Sequence, residues 1–173
     1  MPQIQIRPAT PQDIPLLLAF IRELAAYEKL ADEVVATEDD LHLALFGERP
    51  VIEAVIASKD NEPVAYALFF PTFSTFLGKP GLYLEDLYVR PAARGFGVGR
   101  KLLEHLAHIT VQRGWGRLEW SVLDWNEPAI GFYKKLGATA MDEWTIFRLT
   151  GQALRTLALA DSKIGRLEDY ESP

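Results

Sequence analysis

The stretch from Tyr83 to Gly99 reads Tyr-Leu-Glu-Asp-Leu-Tyr-Val-Arg-Pro-Ala-Ala-Arg-Gly-Phe-Gly-Val-Gly and runs straight into an amphipathic segment, Arg100 to Arg113. An apolar run carrying two acids, Glu85 and Asp86, therefore ends in a basic loop with glycines at three alternate positions, and that loop opens a helix. Such a strand–loop–helix unit belongs to a sheet that helices cross over. Glycines free the main chain for close approach, and unblocked N–H groups at a helix N-terminus suit a pyrophosphate. An ordinary tight turn needs one glycine, not three. A dinucleotide loop wants G-x-G-x-x-G and a P-loop wants G-x-x-x-x-G-K; Gly95, Gly97 and Gly99 fit neither spacing.

The flanking sequence supplies the rest of an α/β (mixed α+β) pattern. Gln3 to Arg7 alternates polar and apolar residues as a half-buried strand does. Thr10, before Pro11 and Asp13, is a candidate N-cap for a helix carrying Ile14, Leu17, Leu18, Ile21, Leu24 and Ala25 to about Lys29. Thr37, followed by acids, starts a second, short helix that stops near Gly47. Val51 to Ala57 and Val64 to Phe73 are β-rich runs joined by a hairpin signal, Lys59-Asp60-Asn61-Glu62-Pro63. Leu82 to Val89 is a third such run. After the long helix, Arg117 to Leu123 predicts a strand, Asn126 caps a helix ending at Gly137, Thr145 to Leu149 predicts a last strand, and Gln152 to Ala160 a short helix. The expected order is β-α-α-β-β-β-α-β-α-β.

At 173 residues the chain is long enough to bury a core without staples. It has no cysteine, which removes disulfides, thiolate metal sites and a cysteine nucleophile. Its three histidines do not cluster, and no metal site is expected. Met1-Pro2-Gln3-Ile4 lacks a basic region followed by an apolar one, so a cytoplasmic protein is expected rather than a secreted or membrane one. A net charge of −6 argues against nucleic acid as partner and fits a small cationic molecule, although mild negative charge also simply aids solubility.

Arg94-Gly95-Phe96-Gly97-Val98-Gly99 resembles the Arg/Gln-x-x-Gly-x-Gly/Ala signature of the GCN5-related N-acetyltransferases (GNAT). Four further blocks narrow the resemblance to the diamine (spermidine/spermine, thialysine) acetyltransferase subfamily. They are Ile6-Arg7-Pro8-Ala9-Thr10, Glu23-Leu24-Ala25-Ala26-Tyr27-Glu28, Tyr83-Leu84-Glu85-Asp86, and Asp124-Trp125-Asn126-Glu127-Pro128 with Phe132-Tyr133-Lys134. The resemblance implies a GNAT fold: a mixed, mostly antiparallel twisted sheet, about four flanking helices, and parallel strands 4 and 5 that splay apart. It implies a single domain over 1–161, with 162–173 a flexible tail, and a homodimer.

It also implies an acetyl-CoA-dependent N-acetyltransferase. Such a reaction deprotonates an amine, aligns a thioester carbonyl, stabilises an oxyanion and protonates a leaving thiolate. In that reading Gly95, Phe96, Gly97, Val98 and Gly99, with Arg94 and Arg100, hold the coenzyme A pyrophosphate, and the Leu87-Tyr88-Val89 backbone pairs with the pantetheine arm. Asn126, Pro128 and Ala129 complete the cofactor contacts, although helix capping explains Asn126 equally well. Tyr133 occupies the general-acid position; without the resemblance it would be one more aromatic on an amphipathic helix. Glu85 is the proposed base, direct or through water, because an amine of pKa about 10 is nearly all protonated at pH 7. Asp86 should point to the opposite strand face unless a bulge intervenes, and is kept as a partner for substrate charge.

Tyr27 and Glu28 would close the substrate pocket, with Glu33 a weaker candidate that also fits a solvated terminus. Ser74, Thr75 and Phe76 stand where polyamine enzymes carry Asp-x-Trp, so one carboxylate for a distant ammonium is missing. That shifts expectation toward a lysine-like amino acid such as thialysine, or a short diamine, with Glu143 near the pocket floor. A non-catalytic acyl-CoA-sensing module and a protein or peptide N-acetyltransferase are the competing readings.

Overall fold

The computed structural model describes residues 3–160, which fall in two compact units divided between Leu123 and Asp124. The expected tail, 162–173, lies outside the described residues.

The first unit is built on a five-stranded sheet in the order β1-β2-β3-β4-β5. Its strands are β1 (Ile4–Pro8), β2 (Glu53–Lys59), β3 (Glu62–Ser74), β4 (Lys79–Val89) and β5 (Leu118–Trp120). The helices are α1 (Ile14–Tyr27), α2 (Glu38–Phe46) and α3 (Val98–Gln112). Strands β1 to β4 are antiparallel, whereas β5 is parallel to β4, with α3 as the crossover. The hairpin expected at 59–63 forms: Asp60 and Asn61 take φ of 51° and 69°, the two left-handed residues of a tight turn whose twist matches its strands.

One face of the sheet packs on α1 and α2. Leu17, Leu18 and Phe20 from α1 and Leu41 and Leu45 from α2 cover Ile56, Tyr66, Leu68 and Tyr88. Each such aliphatic or aromatic side chain taken from water is worth about 1.5–3 kcal/mol. Leu87 and Val89, alternating with Tyr88 along β4, face α3, where a Cβ placed on Gly99 would come into van der Waals contact with both. Leu102 and Leu106 are fully buried on that helix.

Local signals fix the helix starts. Thr37 caps α2: Asp40 N–H donates to the Thr37 hydroxyl, while Thr37 N–H donates to the Asp40 carboxylate at 2.9 Å. Ahead of α1, Asp13 accepts from Thr10 N–H and Oγ1 and from both Nη atoms of Arg7, at 2.7–2.8 Å. Those charge-assisted bonds hold its carboxyl well below the usual carboxylate range, the Arg7 bond being the largest cause.

In the second unit, α4 (Glu127–Lys135) starts at Asn126, whose side chain accepts from Ala129 N–H, and stops before Gly137 at φ 88°. The chain then runs irregularly to α5 (Gly151–Ala160), the short helix expected over 152–160, and the described residues hold five α-helices.

Two strand expectations fail. Thr145 to Leu149 is not a strand. β-Branched and aromatic residues favour a pleated surface only where a neighbour completes the ladder, and this run has no ladder partner among the described residues. The strand expected over 117–123 shrinks to Leu118–Trp120, the three residues that pair with Leu82–Leu84.

Among the described residues no helix is long and apolar enough to cross a membrane.

Candidate active site

The ladder between β4 and β5 ends at Leu84 opposite Trp120, yet β4 runs on to Val89. Among the described residues no strand therefore pairs with the outer edge of β4 over its last five residues, the parallel-strand opening that the fold class anticipated. At the end of that edge lies the glycine loop. Gly95 and Gly97 both have φ 81°, a left-handed conformation that costs an L side chain roughly 1–2 kcal/mol. A Cβ at either would meet nothing within 4 Å, so these glycines serve backbone shape and leave open space above the loop. Gly97 is the N-cap of α3, and no side chain caps that helix. Its first-turn N–H groups and positive dipole end are thus presented toward the open space, which fits an anionic group such as a pyrophosphate.

The basic residues of the loop are engaged unequally. Arg94 donates from Nε to the Val89 carbonyl at 2.9 Å, and its guanidinium lies over the rings of Tyr27 (4.7 Å) and Tyr88 (5.7 Å). It braces the loop against α1 and β4. Arg100 makes an exposed i,i+4 pair with Glu104, worth only about 0.3–0.5 kcal/mol, and is readily redirected. Phe96 is half exposed, with the Lys59 ammonium 3.8 Å above its ring, while Val98 is buried.

The second feature is acidic. Leu68 pairs with Asp86 but Phe69 pairs with Leu84, so Glu85 is an extra residue: a β-bulge. Asp86 keeps step with Tyr88, two residues on, while Glu85 falls between the two registers, the bulge for which the expected separation of the two acids left room. Asp86 sits on the α1/α2 face and accepts a 2.8 Å bond from the Tyr66 hydroxyl, while Glu85 stays exposed beside it. Glu28, directly after α1, is the third member. Burial, and then the charge of Asp86, pushes the Glu28 carboxyl upward. Burial also raises Asp86, the Tyr66 bond opposes that, and the Glu85 charge adds to it. Negative charge is concentrated here at an energetic cost that a bound cation would relieve.

The remaining sequence candidates are carried by other elements. Tyr27 is at the end of α1 under Arg94, and Glu33 is exposed on a short turn beyond it. Ser74 is buried and its hydroxyl accepts from Leu77 N–H, so it shapes the β3–β4 connection, while Phe76 is 96% exposed in that loop. In the second unit Tyr133 is half-buried on α4 beside Phe132, their ring centroids 5.5 Å apart; Pro128 and Ala129 are in the first turn and Glu143 is exposed. Among the described residues no group of three or more potential ligands is placed to hold a metal ion.

The sequence reading overlooked Tyr66, whose one clue is a hydroxyl inside an otherwise apolar strand. It also overlooked Arg90, which grips Glu23 through Nε and Nη2 at 2.8–3.2 Å and ties the end of β4 to α1.

Comparison with known proteins agrees with this geometry. The acetyltransferase (GNAT) family pattern matches residues 19–138. A Bos taurus thialysine N-epsilon-acetyltransferase is 40% identical over 166 residues, covering 90% of this chain and 97% of the relative. An Arabidopsis thaliana L-ornithine N5-acetyltransferase is 33% identical over 198 residues, covering 88% and 87%. Among solved structures, a V. cholerae integron cassette protein superposes with a TM-score of 0.75 at 28% identity, covering 90% of this chain and 97% of that one. A metagenomic aminoglycoside acetyltransferase, at TM-score 0.73 and 19% identity over 86% of this chain and 97% of its own, shares the fold. The glycine loop, the open edge of β4 and these relatives converge: the chain belongs to the acetyltransferase (GNAT) family, in the branch of the thialysine and spermidine/spermine enzymes, and is an acetyltransferase.

Proposed function

We propose that the protein transfers acetyl from acetyl-CoA directly to the primary amine of a small cationic substrate: a thialysine- or lysine-like amino acid, a diamine or a polyamine. The observation that carries this reading is the placement of Glu28, Glu85 and Asp86 by β4, whose C-terminal end opens into the uncapped glycine loop. One strand thereby serves an ammonium with its acids and a pyrophosphate with the amides that follow it. The relatives' names support the amine class, since thialysine and ornithine are both amino acids with a terminal amine.

In this reading the Gly95–Gly99 amides, Arg94 and Arg100 hold the pyrophosphate, with Asn126, Pro128 and Ala129 as further cofactor contacts. The outer edge of β4 at Leu87–Val89 aligns the acyl arm. Glu85, exposed at the bulge, takes a proton from the ammonium directly or through water. The amine nitrogen would then bond to the thioester carbonyl carbon as the carbon–sulfur bond breaks, and the second proton that nitrogen sheds would pass to solvent. Tyr133 delivers a proton to the departing thiolate, a role that rests on its position in the family motif. Tyr27, Glu28 and Asp86 hold substrate charge, with Ser74, Phe76 and Glu143 outer candidates. We read 1–161 as one catalytic domain, which the family match across 19–138 supports because it spans both compact units. The same resemblance favours a cytoplasmic homodimer.

The test is thiol release from acetyl-CoA across thialysine, lysine, ornithine, diamines, polyamines and aminoglycosides. Amine-dependent release with at least one small amine is expected. Cofactor binding with no release for any amine would sink the reading and favour a sensing module. A peptide that outpaces every free amine would move it to protein acetylation.

A further inference from the structure

Tyr66 is the largest fully buried side chain of the described residues, at 0% exposure in the middle of β3. Its ring is stacked on Phe20 at 5.4 Å with an interplanar angle of 6°, and the register places it opposite Tyr88 on β4 and Ile56 on β2. Nothing about filling this space requires oxygen: phenylalanine has the same volume, and a buried hydroxyl costs free energy unless it is bonded. Its hydroxyl is bonded to one group, Asp86 Oδ2, at 2.8 Å. Leu68 pairs with Asp86, so Tyr66 and Asp86 are diagonal neighbours on one face, within reach of a long aromatic side chain. They share that face through the regular pairing of Ala65–Leu68 with Asp86–Val89, at the edge of the Glu85 bulge. The buried phenol thus fixes one carboxylate.

Resting on the reaction proposed above, we propose that Tyr66 is a positioning residue for the amine: its hydroxyl holds Asp86 through Oδ2, so that Oδ1 is presented to the substrate ammonium in one orientation. Oδ1 has no hydrogen bond to any described residue. Tyr66 is too deeply buried to touch substrate. Burial first, then the charge of Asp86, pushes its phenol far above its ordinary value, so it remains a donor throughout the working pH range.

The charged groups that act on the pair come from β4 and from the end of α1. Glu85 is next to Asp86 on β4, and Glu28 lies beyond α1; both act on the phenol. The cations closest along the chain are committed elsewhere, Arg90 to Glu23 and Arg94 to the Val89 carbonyl and the rings of Tyr27 and Tyr88. Tyr66 is therefore the donor that offsets the burial of Asp86, and its bond favours the ionised form.

The test is Tyr66→Phe, which retains the ring, its volume and its stack. The acid limb of the pH profile of amine KM should move to higher pH, with KM on that limb rising about tenfold for a limb shift of one unit. At saturating amine kcat should stay within about twofold, as should KM for acetyl-CoA, because only ground-state amine binding is touched. In an Asp86→Asn background Tyr66→Phe should add nothing to the amine KM. A profile superimposable on wild type would overturn the proposal, as would a fall in kcat at unchanged amine KM. A second readout needs no turnover: the carboxyl carbon of Asp86, titrated by NMR in the substrate-free protein, should show a higher midpoint in Tyr66→Phe, and an unmoved midpoint would overturn the pairing. If wild type acetylates no amine, the proposed reaction falls, and this titration still decides the role of Tyr66.

Discussion

The two ends of the candidate site recognise charge in opposite ways. Around Glu85 the structure uses side chains: three acids, a buried tyrosine bonded to one of them, and a bulge at Glu85 itself. Around Gly97 it uses main chain: left-handed glycines, an uncapped helix and open space where side chains would stand. The acidic end should tolerate backbone-neutral changes of shape but not loss of charge. The glycine end should tolerate loss of nearby charge but not a changed φ. Chemical identity rules one end, conformation the other.

The hardest test of that contrast is Glu85→Gln, which keeps shape and removes the base. General bases contribute about 10²–10⁴-fold, so kcat should drop by two orders of magnitude or more while acetyl-CoA affinity holds. Retention of full turnover would transfer the base role to another group. Next comes Gly97→Val, which adds no charge and no clash but demands φ 81° from a β-branched residue. With a strain of roughly 1–2 kcal/mol or a shifted loop, acetyl-CoA binding should weaken about tenfold and the amine KM should hold. A variant that weakens both substrates equally would break the division between the two ends.

The pH dependence should divide the same way. Glu28 and Asp86 have raised carboxyl values, so both are neutral to a higher pH than ordinary acids. Amine KM should therefore fall as pH rises through and above the usual carboxylate range, then level off while the ammonium stays protonated to about pH 10. Acetyl-CoA KM should lack that limb. By linkage the same two acids favour the folded state when protonated, and that contribution is lost as pH rises through their raised values. Asp13 has the opposite sign: its lowered value stabilises the fold above the unfolded carboxylate range, and the benefit is lost as pH falls. Thermal melts of Asp13→Asn and Asp86→Asn against pH should diverge accordingly, Asp13→Asn losing its penalty only in acid.

The contrast also explains what could be read in advance. Backbone-driven features leave sequence marks, because only certain residues take those conformations. The alternate glycines, Thr37 with Asp40, the Asp60-Asn61 hairpin and Gly137 were all legible, and each forms. Side-chain-driven features leave fewer marks. A bulge is one extra residue with no compositional signature, so nothing in Leu-Glu-Asp-Leu announces that Glu85 falls out of register. Tyr66 looks like any core aromatic until Asp86 is brought beneath it. Thr145 to Leu149 fails for the complementary reason: propensity is local, but a strand needs an edge, and the edge is a property of the whole sheet.

The smallest expected effect is the most discriminating for the glycine end. Arg100 is exposed and its bond to Glu104 is weak, so Arg100→Ala should cost little stability, about 0.5 kcal/mol or less. If the amides of α3 carry most of the pyrophosphate binding, acetyl-CoA KM should rise only a few-fold, because an exposed cation acts through screened Coulomb attraction. That rise should shrink with added salt, whereas the Gly97→Val defect should persist, since salt does not relax a backbone angle. Measuring both variants at low and high ionic strength separates screened charge from fixed conformation. An Arg100→Ala loss as large and as salt-resistant as that of Gly97→Val would mean that side-chain charge, and not main-chain geometry, holds the anion.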